Sequence, residues 1–178
     1  KGFFIEIGSA DGIYNSNTYF LEKNYNWNGI LIEPSTAWKH NKKIRKNSIL
    51  VRKAIYNKSG LDVGFDNNYK KPFNSQLSLN AKDKVKTINI KDLFNTYKVP
   101  KFIDYISIDV EGYEFEILKQ IDFKKYHIKI LTIEHNNNYS KINKLLLLAG
   151  YIQIDVKYTS FEIWFVKKEL FKNICKYN

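Results

Sequence analysis

Apolar residues fall along the chain in short unbroken runs, and several are closed by an acid, a glycine or a proline. The opening GFFIEIG is apolar but for one acid and reads as a strand buried on both faces that ends at glycine. Gly29 to Pro34 repeats the form as GILIEP, and its proline stops the strand. Ser48 to Ile55 reads as a third strand, and Val85 to Ile90, Asp104 to Val110 (DYISIDV) and Ile128 to Glu134 continue the series. Tyr151 to Val156 and Phe161 to Val166 close it, the last antiparallel across a short turn at Lys157 to Ser160.

Between these runs the period changes. Helical spacing covers Tyr14 to Lys23, roughly Thr36 to Lys46, a short segment opened by Lys91, Glu114 to Ile121, and Ser140 to Leu148, which Gly150 stops. From Tyr56 to Lys84 the pattern weakens amid Gly60, Gly64, Pro72 and many Asn, which predicts a hairpin and an irregular, mobile flap. Strands and helices otherwise alternate. The prediction is an α/β, doubly wound sheet in one domain spanning residues 1–178, with no internal repeat or linker.

Composition narrows the classes. A length of 178 residues suits one core, and 44% hydrophobic residues lie outside the profile of disorder. The formal net charge of +11 invites an anionic partner. All but Arg45 and Arg52 of the 29 basic residues are Lys, however, whereas base and phosphate readers favour Arg, so sequence-specific nucleic-acid binding is not expected. The single Cys175 excludes an internal disulfide framework and a cysteine zinc site and fits a reducing, cytoplasmic compartment. No apolar run approaches the roughly 20 residues of a membrane span, and no signal-peptide pattern opens the chain. The chain has no Met and opens abruptly on a strand, which reads as a domain excised from a longer chain with other domains as partners.

Four stretches carry chemistry. Glu6-Ile7-Gly8-Ser9-Ala10-Asp11-Gly12 lies where a buried strand turns toward a helix, a nucleotide-type loop. It lacks the third glycine of GxGxxG and the GK[ST] of a P-loop, and its carboxylates would repel a pyrophosphate; the alternative is a glycine turn serving packing alone. Glu33 ends the next strand 21 residues after Gly12, where doubly wound folds grip two ribose hydroxyls, unless it is simply a solvated strand-tip acid. A ribose-binding acid without a diphosphate loop fits S-adenosylmethionine, an adenosine sulfonium without phosphate. Ser107 to Glu114 (SIDVEGYE) delivers Asp109, Glu111 and Glu114 into one turn, which suits a cation, a metal or proton transfer, or else places acids at a helix N-terminus. Thr132-Ile133-Glu134-His135-Asn136 ends the adjacent strand and brings His135, a candidate base, to the same crevice, while His40 and His127 read as surface.

FFIEIGSADGIYNSNTYFLEK, WNGILIEPS, VRKAIYNKSG, DYISIDVEGYEFEILK and ILTIEHN, in this order and spacing, resemble the FkbM family of S-adenosylmethionine-dependent methyltransferases from about Phe3 to Tyr151. The resemblance implies a class I Rossmann-like methyltransferase fold. Its sheet is seven-stranded and mostly parallel with an antiparallel last strand, and helices cover both faces. By similarity Glu6, Gly8, Ala10 and Gly12, with Ser9 and Asp11 of the same loop, line the methionine end of the cofactor, and Ser16 and Asn17 help hold its carboxylate or the loop. Glu33, followed by Pro34, binds the ribose hydroxyls, Ala54 and Ile55 flank the adenine, and Asp109 sits beside the sulfonium. Family members methylate hydroxyls, often on sugars or polyketide-like products, so the expected partner is a small-molecule or glycan acceptor, a nucleotide-linked sugar included. The helix that usually precedes the first strand is missing.

In-line methyl transfer to a neutral hydroxyl calls for positioning and a base. Asp109 or His135 is the candidate base, with Glu111 orienting the acceptor; a divalent metal held by Asp109, Glu134 and His135 is the alternative to a metal-free site. Tyr69, Phe73, Tyr113, Ser75 and Gln76 are candidates for acceptor contact, whereas Trp27, Trp38 and Trp164 are as readily core residues. An RNA ribose methyltransferase and a non-catalytic module of a glycan-building protein are the competing readings.

Overall fold

The computed structural model of the chain describes residues 1–66, 76–77, 84–136, 138–154 and 161–174. Its first part runs β1 (Phe3–Ile7), α1 (Tyr19–Tyr25), β2 (Asn28–Ile32), α2 (Trp38–Ile44) and β3 (Ser48–Val51). Short strands follow: β4 (Ala54–Ile55), β5 (Asp62–Asp66), β6 (Gln76–Leu77) and β7 (Lys84–Ile88). The rest is α3 (Ile90–Thr96), β8 (Phe102–Ile108), α4 (Glu114–Leu118), β9 (His127–Glu134), α5 (Tyr139–Leu148), β10 (Tyr151–Ile154), β11 (Glu162–Lys167) and α6 (Lys168–Ile174).

Seven strands form one sheet in the order β10-β11-β9-β8-β1-β2-β3. All neighbours are parallel except β11, which runs antiparallel to both β9 and β10. The apolar runs make this possible. On one face Phe4, Leu31 and Tyr105 pack with Leu21 of α1 and Trp27. On the other, Ile5, Ile7, Ile30, Ile106 and Ile108 pack with Leu93 of α3, Ile117 of α4 and Ile142 of α5. A strand whose two faces are both covered must be apolar at successive positions, as β1 and β2 are. The sheet and its two helical layers are those expected of a class I methyltransferase.

The order also fixes where ligands go. The chain fills the sheet outward from β1 through β2 to β3, then returns to lay β8 on the other side of β1. Connections leaving β1 and β8 therefore diverge, and the crevice at their carboxyl ends is the switch point of the sheet.

Three expectations change and one, the hairpin, is met. The stretch Ser48 to Ile55 is two strands: Lys53 N–H bonds the Val51 carbonyl at 3.1 Å, and the resulting bend sends β4 into a second, four-stranded sheet of order β4-β7-β5-β6. The expected hairpin exists as β5 antiparallel to β6, with β5 also pairing antiparallel to β7. Helix α1 begins at Tyr19, not Tyr14, because the preceding segment is held open by left-handed backbone at Gly8, Ala10, Gly12 and Asn15. Helix α6, which the spacing does not predict, follows β11 directly. Tyr69, Phe73 and Ser75, the turn at 157–160 and Cys175 lie outside the described residues. No helix among those described is long and apolar enough to cross a membrane.

Candidate functional site

The glycine loop leaves β1 at the switch point. Gly8 has φ +88°, and a Cβ there would lie 1.7 Å from the Asp109 carbonyl oxygen, so only glycine lets the β1 and β8 loops meet. Gly8 and Ser9 N–H groups both donate to the Ile32 carbonyl, at 2.9 and 3.2 Å, which pins the loop to the end of β2. Asp11 turns the next segment by accepting from Ile13 and Tyr14 N–H through Oδ1, at 3.0 and 2.9 Å. Buried Ser9 has a hydroxyl with no partner, a polar atom in the loop left over by the fold itself.

Beneath the loop sits a buried charge network that sequence reading missed. Glu6 accepts from Asn17 N–H (2.9 Å), Ser16 Oγ (2.9 Å) and Thr18 Oγ1 (2.5 Å), so both its oxygens serve the approach to α1. Arg45, 2% exposed, donates to Glu22 Oε2 at 2.9 Å, the Gly12 carbonyl at 2.8 Å, Ser16 Oγ at 3.0 Å and Thr18 Oγ1 at 2.7 Å, with Glu6 Oε2 3.7 Å away. Burial holds the Glu6 carboxyl above the usual range, although Thr18 and Arg45 pull it down. The Asn17 amide spans the sheet, donating to Ser107 Oγ at 3.0 Å and Glu162 Oε1 at 2.7 Å. In the sequence Arg45 closes KKIR, which looks like a solvated basic helix end; its burial depends on partners more than 20 residues away.

Glu33 follows β2 as expected and lies against the loop. Its Oε2 accepts from Ala10 N–H and its Oε1 from Ser35 N–H, both at 2.7 Å. Burial raises its pKa against the opposing pull of the Ser35 and Ala10 donors. Pro34 is half-buried beside it.

The turn after β8 gathers the acids. One oxygen each of Asp109, Glu111 and Glu134 lies within 4.8 Å of the others. Loss of hydration on its protein side, with Glu134, Glu111 and Glu114 nearby, pushes Asp109 up to about 8. Glu111 is raised by the same causes and stands in left-handed backbone at φ 58°. Glu114 is wholly buried. Its Oε1 accepts from Gly112 N–H at 2.8 Å, Val110 N–H at 3.2 Å and Asn136 Nδ2 at 3.4 Å, while its Oε2 has no partner.

His135 is half-buried; its Nδ1 lies 3.1 Å from the Asn136 carbonyl and its ring meets Tyr139 edge-on. Among the described residues the oxygen group at the acid turn takes Glu111, not His135, as its third member. Ala54 and Ile55 are in β4 with both side chains in cores. Tyr113 stacks on Tyr56 with centroids 5.5 Å apart, joining the acid turn to the segment after β4, a pairing no local pattern reveals. Gln76 is in β6, and His127 is exposed at the start of β9, stacked on Phe102.

No curated protein sequence matches the chain significantly. Among solved structures it is similar to a precorrin-6y C5,15-methyltransferase from Geobacter metallireducens, with TM-score 0.50 and 12% identity over 94% of this chain and 82% of that one. It is also similar to M. capricolum TrmK in complex with S-adenosyl-homocysteine, with TM-score 0.47 and 15% identity over 93% of this chain and 60% of that one. A human methyltransferase 10 domain containing protein has TM-score 0.47 and 12% identity over 93% of this chain and 70% of that one. The first of these likenesses speaks for the fold alone. The family model of the methyltransferase FkbM domain matches residues 6–153, through the glycine loop, Glu33, the acid turn and the end of β9, and by that match the chain belongs to the FkbM methyltransferase family.

Proposed function

We propose that this protein is an S-adenosylmethionine-dependent O-methyltransferase that methylates a hydroxyl of a sugar, a glycan or a related small molecule by in-line transfer. The observation that carries the reading is the convergence, at one switch point, of the Gly8 loop with its unpartnered Ser9 hydroxyl, the Glu33 carboxylate and Asp109. When bound, the cofactor supplies an electrophilic methyl group on a sulfonium. The unpartnered Ser9 hydroxyl, in the turn of Ala10 and Gly12 with Ser16 and Asn17 behind it, suits its amino-acid end, and Glu33 suits its ribose hydroxyls. Asp11 shapes the loop, Glu6 acts through Ser16, Asn17 and Thr18, and the backbone of Ala54 and Ile55 is assigned the adenine side.

Asp109 is assigned the sulfonium side, and Asp109 or His135 the acceptor proton, with Glu111 orienting the acceptor. Positioning supplies most of the acceleration in such a displacement. The test is incubation with methyl-labelled S-adenosylmethionine and a panel of nucleotide sugars, free glycans and capped RNA. Label on a sugar hydroxyl supports the reading. Label on an RNA ribose replaces it with the RNA reading, and absence of cofactor binding by calorimetry replaces it with a non-catalytic module.

A further inference from the structure

Arg45 follows α2 in the chain, yet its buried guanidinium serves the glycine loop and the segment that leads from it into α1. Nη1 donates to the Gly12 carbonyl at 2.8 Å and to Ser16 Oγ at 3.0 Å, Nη2 to Thr18 Oγ1 at 2.7 Å, and Nε to Glu22 Oε2 at 2.9 Å. The same group lies over the Phe4 and Tyr19 rings, 5.5 and 5.8 Å from their centroids, which adds cation–π attraction. A hydroxyl has one proton to give. Ser16 and Thr18 each give theirs to Glu6 Oε2, at 2.9 and 2.5 Å, and each accepts from Arg45. Both protons are thus spent inside the fold, between a buried cation and a buried carboxylate, and neither hydroxyl can donate to a ligand. The Gly12 carbonyl is likewise turned inward onto the guanidinium. The unpartnered Ser9 hydroxyl stays for the ligand, and Glu33 is held instead by the Ala10 and Ser35 N–H groups.

We propose that Arg45 is a positioning residue for the amino-acid end of the cofactor. Without touching the ligand, it holds Gly12, Ser16 and Thr18 in one arrangement and so presets the loop for the homocysteine part of S-adenosyl ligands, and not for their adenosine. This rests on the methyltransferase reading above. Lysine offers one ammonium where the guanidinium fork meets four acceptors, so it cannot keep the arrangement. A loop left loose in the free protein must be ordered at the moment of binding, which lowers affinity for the part of the ligand it serves.

Calorimetry with two ligands tests this: S-adenosylhomocysteine, and 5′-methylthioadenosine, which keeps the adenosine and lacks the amino-acid end. Arg45→Lys and Ser16→Ala are expected to lose about tenfold in affinity for the first and less than about twofold for the second. Gly60→Ala, which strains the backbone where no atom lies within 4 Å of the new Cβ, controls for lost stability and should leave the ratio of the two affinities unchanged. Arg45→Lys decides where it folds. Where it does not, Ser16→Ala decides, since it removes one hydroxyl and leaves both charges in place. Equal losses for the two ligands, or no loss for S-adenosylhomocysteine, overturn the inference and leave the methyltransferase reading intact. A parent protein that binds neither ligand overturns that reading, and the inference with it.

Discussion

The Gly8 α-carbon faces the carbonyl of Asp109 so closely that a methyl group on it would lie 1.7 Å from that oxygen. Asp109 N–H in turn donates to the Ile7 carbonyl at 2.9 Å. Two loops that diverge from neighbouring strands are thereby locked backbone to backbone at the crevice floor, and the glycine loop and the acid turn cannot shift independently.

Gly8→Ala should therefore do more than strain one residue. Left-handed backbone alone costs an alanine about 1–3 kcal/mol. Gly60→Ala, at φ +83° with no atom within 4 Å of the new Cβ, should show that strain by itself. The expected result in urea unfolding is a clearly larger loss for Gly8→Ala, accompanied by loss of S-adenosylmethionine binding in calorimetry.

Arg45 should tolerate neither removal nor a lysine. Its guanidinium serves Glu22, Gly12, Ser16 and Thr18 at once, and a single ammonium cannot. Arg45→Met leaves Glu6 and Glu22 buried without their cation, a change of about 3–5 kcal/mol. Urea midpoints of both variants should fall, and an unchanged midpoint in Arg45→Lys would refute the network's importance.

For Glu33→Gln the expected effect is on cofactor affinity. Replacing a charge-assisted acceptor by a neutral one loses about 1.5–3 kcal/mol, or ten- to a hundredfold in affinity for S-adenosylmethionine. Calorimetry reads the change, and a variant binding as tightly as the parent removes Glu33 from the ribose site.

Glu33 also predicts a pH dependence of stability. Burial raises its carboxyl above the ordinary value of 4.5 in the folded chain. The folded state then binds the proton more readily than the unfolded state, so this contribution is full below 4.5 and is lost as pH rises through the raised value. Unfolding free energies at several pH values should show the parent losing stability relative to Glu33→Gln as pH increases over that interval. A relative gain would show the sign to be wrong.

Asp109→Ala and His135→Ala, each folded and still binding cofactor, should separate base from scaffold. A positioned base contributes about 10²–10⁴ in rate, so at least one variant should lose turnover on that scale at saturating cofactor. Full activity in both would remove the two residues from proton transfer.

The strands of the large sheet were legible because burial on both faces demands consecutive apolar residues, as in Phe3–Ile7 and Asn28–Ile32. Glycines and acids closing those runs located Gly8, Glu33 and Asp109 at the crevice. What escaped was set by distant partners. Arg52 and Lys53 look like ordinary strand residues, yet they bend the chain into a second sheet because β4 pairs with β7, more than 30 residues on. Glu114 reads as a helix-start acid, and only the fold shows one of its oxygens buried without a partner. Helix α6 presents too few apolar positions, over Lys168–Ile174, to declare a period.

The Asn17 amide reaches Glu162 across 145 residues of sequence. The loop and the first helix precede β11 in the chain, so the last of their ties to the sheet, beyond those to Ile32 and Ser107, waits for the strand inserted last between its neighbours. Loop closure over that length is slow relative to local helix formation. The crevice is thus among the final parts of the molecule to mature, and a nascent chain halted before β11 would carry every residue of the glycine loop without the contact to Glu162.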